Sequence, residues 1–195
     1  MLMKINRAYK TRLHLNNKQE TWFCKCAGTA RYVFNWALAD RITQYERGEK
    51  SNKYEQKRRF NSIKPSWIYE TPYTIQEQEF ENVDRAYKNF FRRVKLGQKP
   101  GFPKFQSKKN GIGSFTLRGK ICIEGDSIGF PRIGRIKLAE RGYLPVEGVR
   151  ILSANISERA GEWYVSIQIE QEIADSQPIM GGVVGVDLGI KTLAV

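Results

Sequence analysis

The sequence predicts an α+β fold in which a block of helices is inserted into a small β-barrel or sheet. Three observations lead there. An alternating segment opens the chain, apolar residues at helical spacing follow it, and strand-like runs return only after residue 113. A lone strand is not stable in water, so the opening strand must pair with those beyond the helices.

Each element follows from its local pattern. Between Lys4 and Leu15, the residues Ile5, Tyr9, Leu13 and Leu15 fall on one face, with Lys10, Arg12 and His14 on the other. That is a strand with one wet, basic side. Asn17 followed by Glu20 forms a helix-capping signal. Behind it Trp22, Phe23, Cys26, Ala30, Val33, Phe34, Ala37, Leu38, Ile42 and Tyr45 recur at helical spacing as far as Gly48. Gly28 either splits this stretch into two helices, as a DNA-binding helix-turn-helix would need, or permits close packing at a crossing. A shorter helix is expected from Tyr54 to Ile63, stopped by Lys64-Pro65. Thr74 and Glu77 form a second capping box, opening a long helix whose apolar stripe is Phe80, Val83, Tyr87, Phe90, Phe91 and Val94. Residues 97–113 are rich in Gly, Pro and Lys and cannot continue a helix.

Strand-like runs then surround Phe115, Ile121–Ile123, Ile128–Phe130 and Ile136–Leu138. The clearest element is a hairpin. Ile151 to Ser157 leads to a turn at Ala160-Gly161, after which Trp163, Val165, Ile167 and Ile169 alternate with Tyr164, Ser166, Gln168 and Glu170. Residues 171–182 are expected to be a linker, and 183–195 a fresh strand of the buried type.

Charge narrows the function. The chain carries 33 Lys+Arg against 20 Asp+Glu, a net +13, and its isoelectric point is near 9.8. Residues 1–120 hold 26 of the basic and 10 of the acidic side chains, whereas the remainder holds 7 and 10. From Arg85 to Lys120 there are eleven basic residues and no acid. Such a field attracts a polyanion, and nucleic acid is the usual one. No signal peptide or spanning segment opens the chain, so a cytosolic setting is expected and a membrane partner is not.

The basic helix and loop are therefore the first candidate site. Arg85, Lys88, Arg92, Arg93, Lys95, Lys99, Lys104, Lys108 and Lys109 can neutralise phosphates, while Phe102 and Phe105, with Tyr87 nearby, can pack or stack on bases. Arg7, Lys10 and Arg12 add basic side chains to the opening strand. Asp187 is the second candidate. A carboxylate inside the apolar run Val183-Val184-Gly185-Val186-Asp187-Leu188-Gly189-Ile190-Lys191 is costly unless compensated, and a divalent metal is a good compensator. The bland alternative is a strand-end Asp capping a turn. Cys24, Cys26 and Cys122 do not make a metal or disulfide framework, since Cys24-Lys25-Cys26 has one intervening residue and would point its thiols about 200° apart on a helix. His14 is expected to be a surface or nucleic-acid-facing side chain rather than a catalyst.

Four stretches occur in an order that resembles the N-terminal portion of the TnpB/OrfB proteins of insertion sequences, relatives of the type V CRISPR effectors. They are Ala30-Arg31-Tyr32-Val33-Phe34-Asn35-Trp36, Ala86-Tyr87-Lys88-Asn89-Phe90-Phe91, Gly101-Phe102-Pro103-Lys104-Phe105, and Gly185-Val186-Asp187-Leu188-Gly189-Ile190-Lys191. The resemblance implies that residues 1–14 and 112–178 form an oligonucleotide-binding-type barrel, the wedge. It implies that residues 15–108 form a helical recognition domain, and that 183–195 begin an RNase H-like (RuvC) nuclease domain. A guide RNA from the transposon end and double-stranded target DNA with a short adjacent motif are the implied partners, and prokaryotic cytoplasm and nucleoid the implied setting. Tyr54 falls where such proteins approach the adjacent-motif duplex, as do Gln76 and Gln78.

By the same resemblance, Asp187 is the first acid of a Mg²⁺ nuclease site. The site also needs a later Glu and Asp, and the family places a four-cysteine zinc ribbon between them. These 195 residues contain neither the later acids nor the ribbon, so they are expected to bind and not to cut. Two other readings stay open: a nuclease-lacking RNA-guided DNA-binding regulator, and a general RNA-binding module.

Overall fold

A computed structural model describes residues 2–174. Asp187, the expected terminal strand 183–195 and most of the expected linker lie outside them. The elements in order are β1 (Leu2–His14), α1 (Asn17–Glu46), α2 (Lys53–Ile63), a 3₁₀ turn (Ser66–Glu70), and α3 (Tyr73–Lys95). A long loop with one 3₁₀ turn at Lys108–Asn110 leads to β2 (Ser114–Leu117), β3 (Cys122–Glu124), β4 (Ser127–Phe130), β5 (Gly134–Leu138), β6 (Val149–Arg159) and β7 (Glu162–Ala174).

The strands form one antiparallel seven-stranded sheet in the order β2-β6-β7-β1-β5-β4-β3. The opening strand finds its partners beyond the helices. β1 pairs with β7 from Leu2 to Leu13 and then with β5 at Leu13 and His14, so it sits at the centre of the sheet. The sheet is curled. β2 and β4 are first and sixth in strand order, which would put them about 24 Å apart in a flat sheet at about 4.8 Å per strand. Yet the Phe23 ring of α1 lies 5.3 Å from Phe115 on β2, 6.2 Å from Phe130 on β4 and 5.2 Å from Trp163 on β7. Only a sheet wrapped round one side chain can do this.

α1 joins two cores. Its first half places Phe23, Cys26, Ala27 and Ala30 in the sheet core, with Ile128, Ile136, Ile156, Val165 and Ile167. The second half places Val33, Phe34, Ala37 and Leu38 in a helical core with Phe60 of α2, Ile68, and Phe80 and Val83 of α3. Burying so much of its length supplies the tertiary packing that stabilises a helix beyond its intrinsic propensity.

Several local expectations are corrected. The cap of α1 is Asn16, one residue earlier than expected, because its extended backbone lets Oδ1 accept from Gln19 N–H (2.9 Å) while Gln19 Oε1 accepts from Asn16 N–H (3.0 Å). α1 does not break at Gly28, and Gly28 does not mediate a close crossing either: no atom lies within 4 Å of where a Cβ would stand. The expected capping box at Thr74 and Glu77 is absent. α3 starts after Pro72 with no side-chain cap, Thr74 Oγ1 is buried without a partner, and Glu77 instead pairs with Lys57 at 3.0 Å. The expected linker begins later than residue 171, since β7 continues to Ala174 where the first residues of β1 supply its hydrogen-bond partners.

Candidate nucleic-acid interface

α3 changes character along its length. Phe80, Val83 and Tyr87 are buried, but beyond them Phe91 and Val94 are exposed, and so are Arg85, Lys88, Arg92, Arg93 and Lys95. Lys88 pairs with Asp84 at 2.9 Å, and Arg85 donates to Asn82. Asp84 also takes Arg41 at 3.3 Å; burial pushes its carboxyl up, but the Lys88 and Arg41 bonds outweigh this and hold it below its ordinary value. Arg92, Arg93, Lys95, Lys99, Lys104, Lys108 and Lys109 make no ion pair among the described residues.

The loop after α3 is fastened at three points. Phe102 packs edge-on against Tyr87 (5.7 Å) and Phe90 (5.4 Å) of α3. Asn35 of α1 makes a reciprocal pair with the Gln106 backbone: Asn35 Nδ2 donates to the carbonyl (2.9 Å) and Gln106 N–H donates to Oδ1 (2.7 Å). Arg31 Nη1 donates to the Ile112 carbonyl at 3.0 Å. The loop's lysines are thus carried on backbone held against α1 and α3, and this lowers the ordering cost of binding. The quoted stretches around Arg31, Tyr87 and Phe102 meet here. Sequence reasoning gave Arg31 and Asn35 no role; their signal was their place in one of those stretches.

The remaining candidates are dispersed. Arg7, Lys10 and Arg12 lie on β1 in the sheet, Lys10 over the Tyr164 ring (5.1 Å) and Arg12 paired with Glu162 (3.3 Å). Tyr54 is exposed in the first turn of α2, with Lys53 Nζ 5.3 Å from its ring. Gln76 and Gln78 depart from the expectation of a surface contact. They are 2% and 7% exposed, because the first turns of α3 are enclosed, and the Oε1 of each has no partner. Glu79 beside them is equally buried and accepts from Asn82. Cys26 is buried, and burial pushes its thiol upward; Cys24 and Cys122 are exposed. Among the described residues, no group of three or more His, Cys, Asp or Glu is placed to hold a metal, and no helix is long and apolar enough to cross a membrane.

Fold and surface together define an α+β protein with a fixed cationic, aromatic-studded face on its helical side. A family model described as a helix-turn-helix domain, of the OrfB/IS605 type, matches residues 1–50. Those residues form β1 and the uninterrupted α1 here. The chain is 30% identical over 198 aligned residues to an Escherichia coli K12 protein named as an RNA-guided DNA endonuclease, InsQ, covering 98% of this chain and 47% of that one. It is 24% identical over 209 residues to a Streptomyces pristinaespiralis protein also named as an RNA-guided DNA endonuclease, covering 99% and 48%. The chain thus carries an OrfB/IS605-type match at its N-terminus and is similar along nearly its whole length to proteins named as RNA-guided DNA endonucleases, and it spans about half the length of these curated relatives.

Proposed function

We propose that this chain is the gripping part of an RNA-guided DNA endonuclease encoded by an insertion sequence, holding guide RNA and target DNA through the face built by α3 and the loop after it. One observation carries the reading: the acid-free run from Arg85 to Lys120 is displayed as a surface, its loop clipped to α1 by Asn35 and Arg31. Arg92, Arg93 and Lys95 alone would be explained by the α3 dipole, since cations favour a helix C-terminus. Lys99, Lys104, Lys108 and Lys109 lie beyond that helix and have no such explanation. A ligand carrying regularly spaced negative charge supplies one.

In this reading base pairing reads sequence, and the protein grips the hybrid by shape and backbone. Residues 1–14 and 112–178 form the wedge, with the curl of the sheet around Phe23 as the barrel-like wall. Residues 15–108 form the recognition domain, and 183–195 open a RuvC-like domain in which Asp187 would help hold Mg²⁺. Tyr54 would meet the duplex beside the adjacent motif. Gln76 and Gln78 would take part only through a rearrangement of α3's enclosed first turns. The test is to purify the chain from its own host at low salt and sequence the RNA that accompanies it. The expected result is RNA from the element's end, lost from a variant with Arg92, Arg93, Lys95 and Lys99 all changed to Gln. Recovery of no such RNA, or equal recovery with the variant, counts against the proposal.

A further inference from the structure

Between α1 and the 3₁₀ turn Ser66–Glu70 lies a cleft of about 580 Å³ lined by Lys25, Gly28, Arg31, Tyr32, Asn35 and Trp67. That volume lies in the range of about 300–1,000 Å³ usual for sites that enclose a small organic group. Four features give it a chemical character. Tyr32 and Trp67 meet edge to face at 5.1 Å, and both residues line the cleft while staying 39% and 42% exposed. Gly28 is part of the lining, and no neighbouring atom lies within 4 Å of where its Cβ would stand. It sits inside a 30-residue helix, where glycine is disfavoured by about 0.5–1 kcal/mol relative to alanine. Neither a positive φ nor a crowding neighbour calls for glycine there. What its missing side chain provides is space in the cleft.

The rim adds the third and fourth features. Lys25 pairs with Glu70 at 2.7 Å, which leaves the outer edge close to neutral and better suited to a base than to a phosphate. Arg31 and Asn35 line the cleft and also fasten the basic loop, so the opening borders the cationic face. Only one of Arg31's donors is used on Ile112, which leaves the guanidinium able to donate to a base edge or stack on one.

We propose that this cleft receives one unpaired nucleobase of a bound strand, stacked on Trp67 and Tyr32 beside Gly28, while the neighbouring loop lysines hold adjacent phosphates. The proposal rests on the reading that the chain grips nucleic acid, and adds a base-binding subsite to it. Stacking of a base on an aromatic side chain makes the expected loss about 5- to 150-fold in affinity per ring removed.

The experiment uses the full chain with short oligouridine carrying 4-thiouridine, the matching thiothymidine DNA, and a fully paired RNA–DNA hybrid. Gly28→Leu fills this part of the lining with a good helix former, and Trp67→Ala removes a partly exposed ring. Circular dichroism checks that both retain the wild-type fold. The expected result is a photo-crosslink to Trp67 or Tyr32. Both variants should lose about 5- to 150-fold in single-strand affinity, keep the wild-type salt dependence, and bind the hybrid unchanged. Comparing the RNA and DNA arms shows which strand supplies the base. Wild-type affinity of both variants for single strands overturns the subsite, as does an equal loss on strand and hybrid. If Gln substitutions in the loop still abolish binding in that case, the wider reading of the cationic face stands. If they too have no effect, that reading falls as well.

Discussion

Asn35 and Glu79 show how single side chains set up the helical face. Asn35 satisfies both backbone groups of Gln106, and its amide is the one group on α1 that both donates to the basic loop and accepts from it. Asn35→Ala should leave the helices intact while releasing the loop, so limited trypsin digestion is expected to cut faster at Lys104 and Lys108, with unchanged far-UV circular dichroism. Equal cutting would mean that the Phe102 and Arg31 contacts hold the loop unaided. Glu79 bears on stability. Burial pushes its carboxyl from the ordinary 4.5 up to about 7, against the weaker opposing effects of the Asn82 bond and Arg85. Its folded value is therefore raised. The unfolded chain ionises first, and stability is lost as pH rises from 4.5 to 7, by roughly 3 kcal/mol at most. Glu79→Gln keeps the acceptor for Asn82 and removes the titration. Thermal melts should show the variant more stable than wild type at pH 8 and similar to it below pH 4.5. A wild type that melts alike relative to the variant at both pH values would refute this.

Elements were legible where the signal was local. The β6–β7 hairpin shows why: strict alternation from Trp163 to Ile169 names the inward face, and the two-residue turn needs positive φ at both positions, as found at Ala160 (+53°) and Gly161 (+79°). That geometry matches the strand twist, but an alanine adopts it under strain. Ala160→Gly should raise stability by about 0.5–1 kcal/mol, read from denaturant midpoints; a lower midpoint would show that the turn gains more from alanine's restricted unfolded chain than it loses in strain. The errors came where partners decide. Asn16 and Asn17 are equally good caps by composition, and only the chain's exit from β1 selects Asn16. β7 outran its expected end because β1's first residues, far away in sequence, pair with it. Gln76 and Gln78, placed beside the adjacent-motif duplex by resemblance alone, turn out buried, and nothing local announces that α3's first turns are enclosed.

At the scale of the whole molecule, the sequence showed an insertion of helices between strand partners but left a barrel and a sheet as alternatives, because the curl depends on one phenyl ring meeting three distant strands. It showed where the cations concentrate but not that α1 fastens them. The acid-free run occupies the second half of α3, the loop after it and β2. An interface of this kind should be governed by release of counterions. If it engages about 6–10 phosphates, affinity should fall by roughly 10³–10⁵ between 50 and 200 mM salt. Changing Lys104, Lys108 and Lys109 together to Gln should reduce the slope of log affinity against log salt by about 2–3. Arg141→Gln is the control, because that arginine is exposed outside the run and paired loosely with Asp126 at 3.8 Å. Its slope should match the wild type. Measured by fluorescence anisotropy across a salt series, a triple variant with the wild-type slope would show that the loop lysines do not touch phosphate. An equal drop in the control would show that any surface charge matters alike, and that the clipped loop is not the place where the polyanion sits.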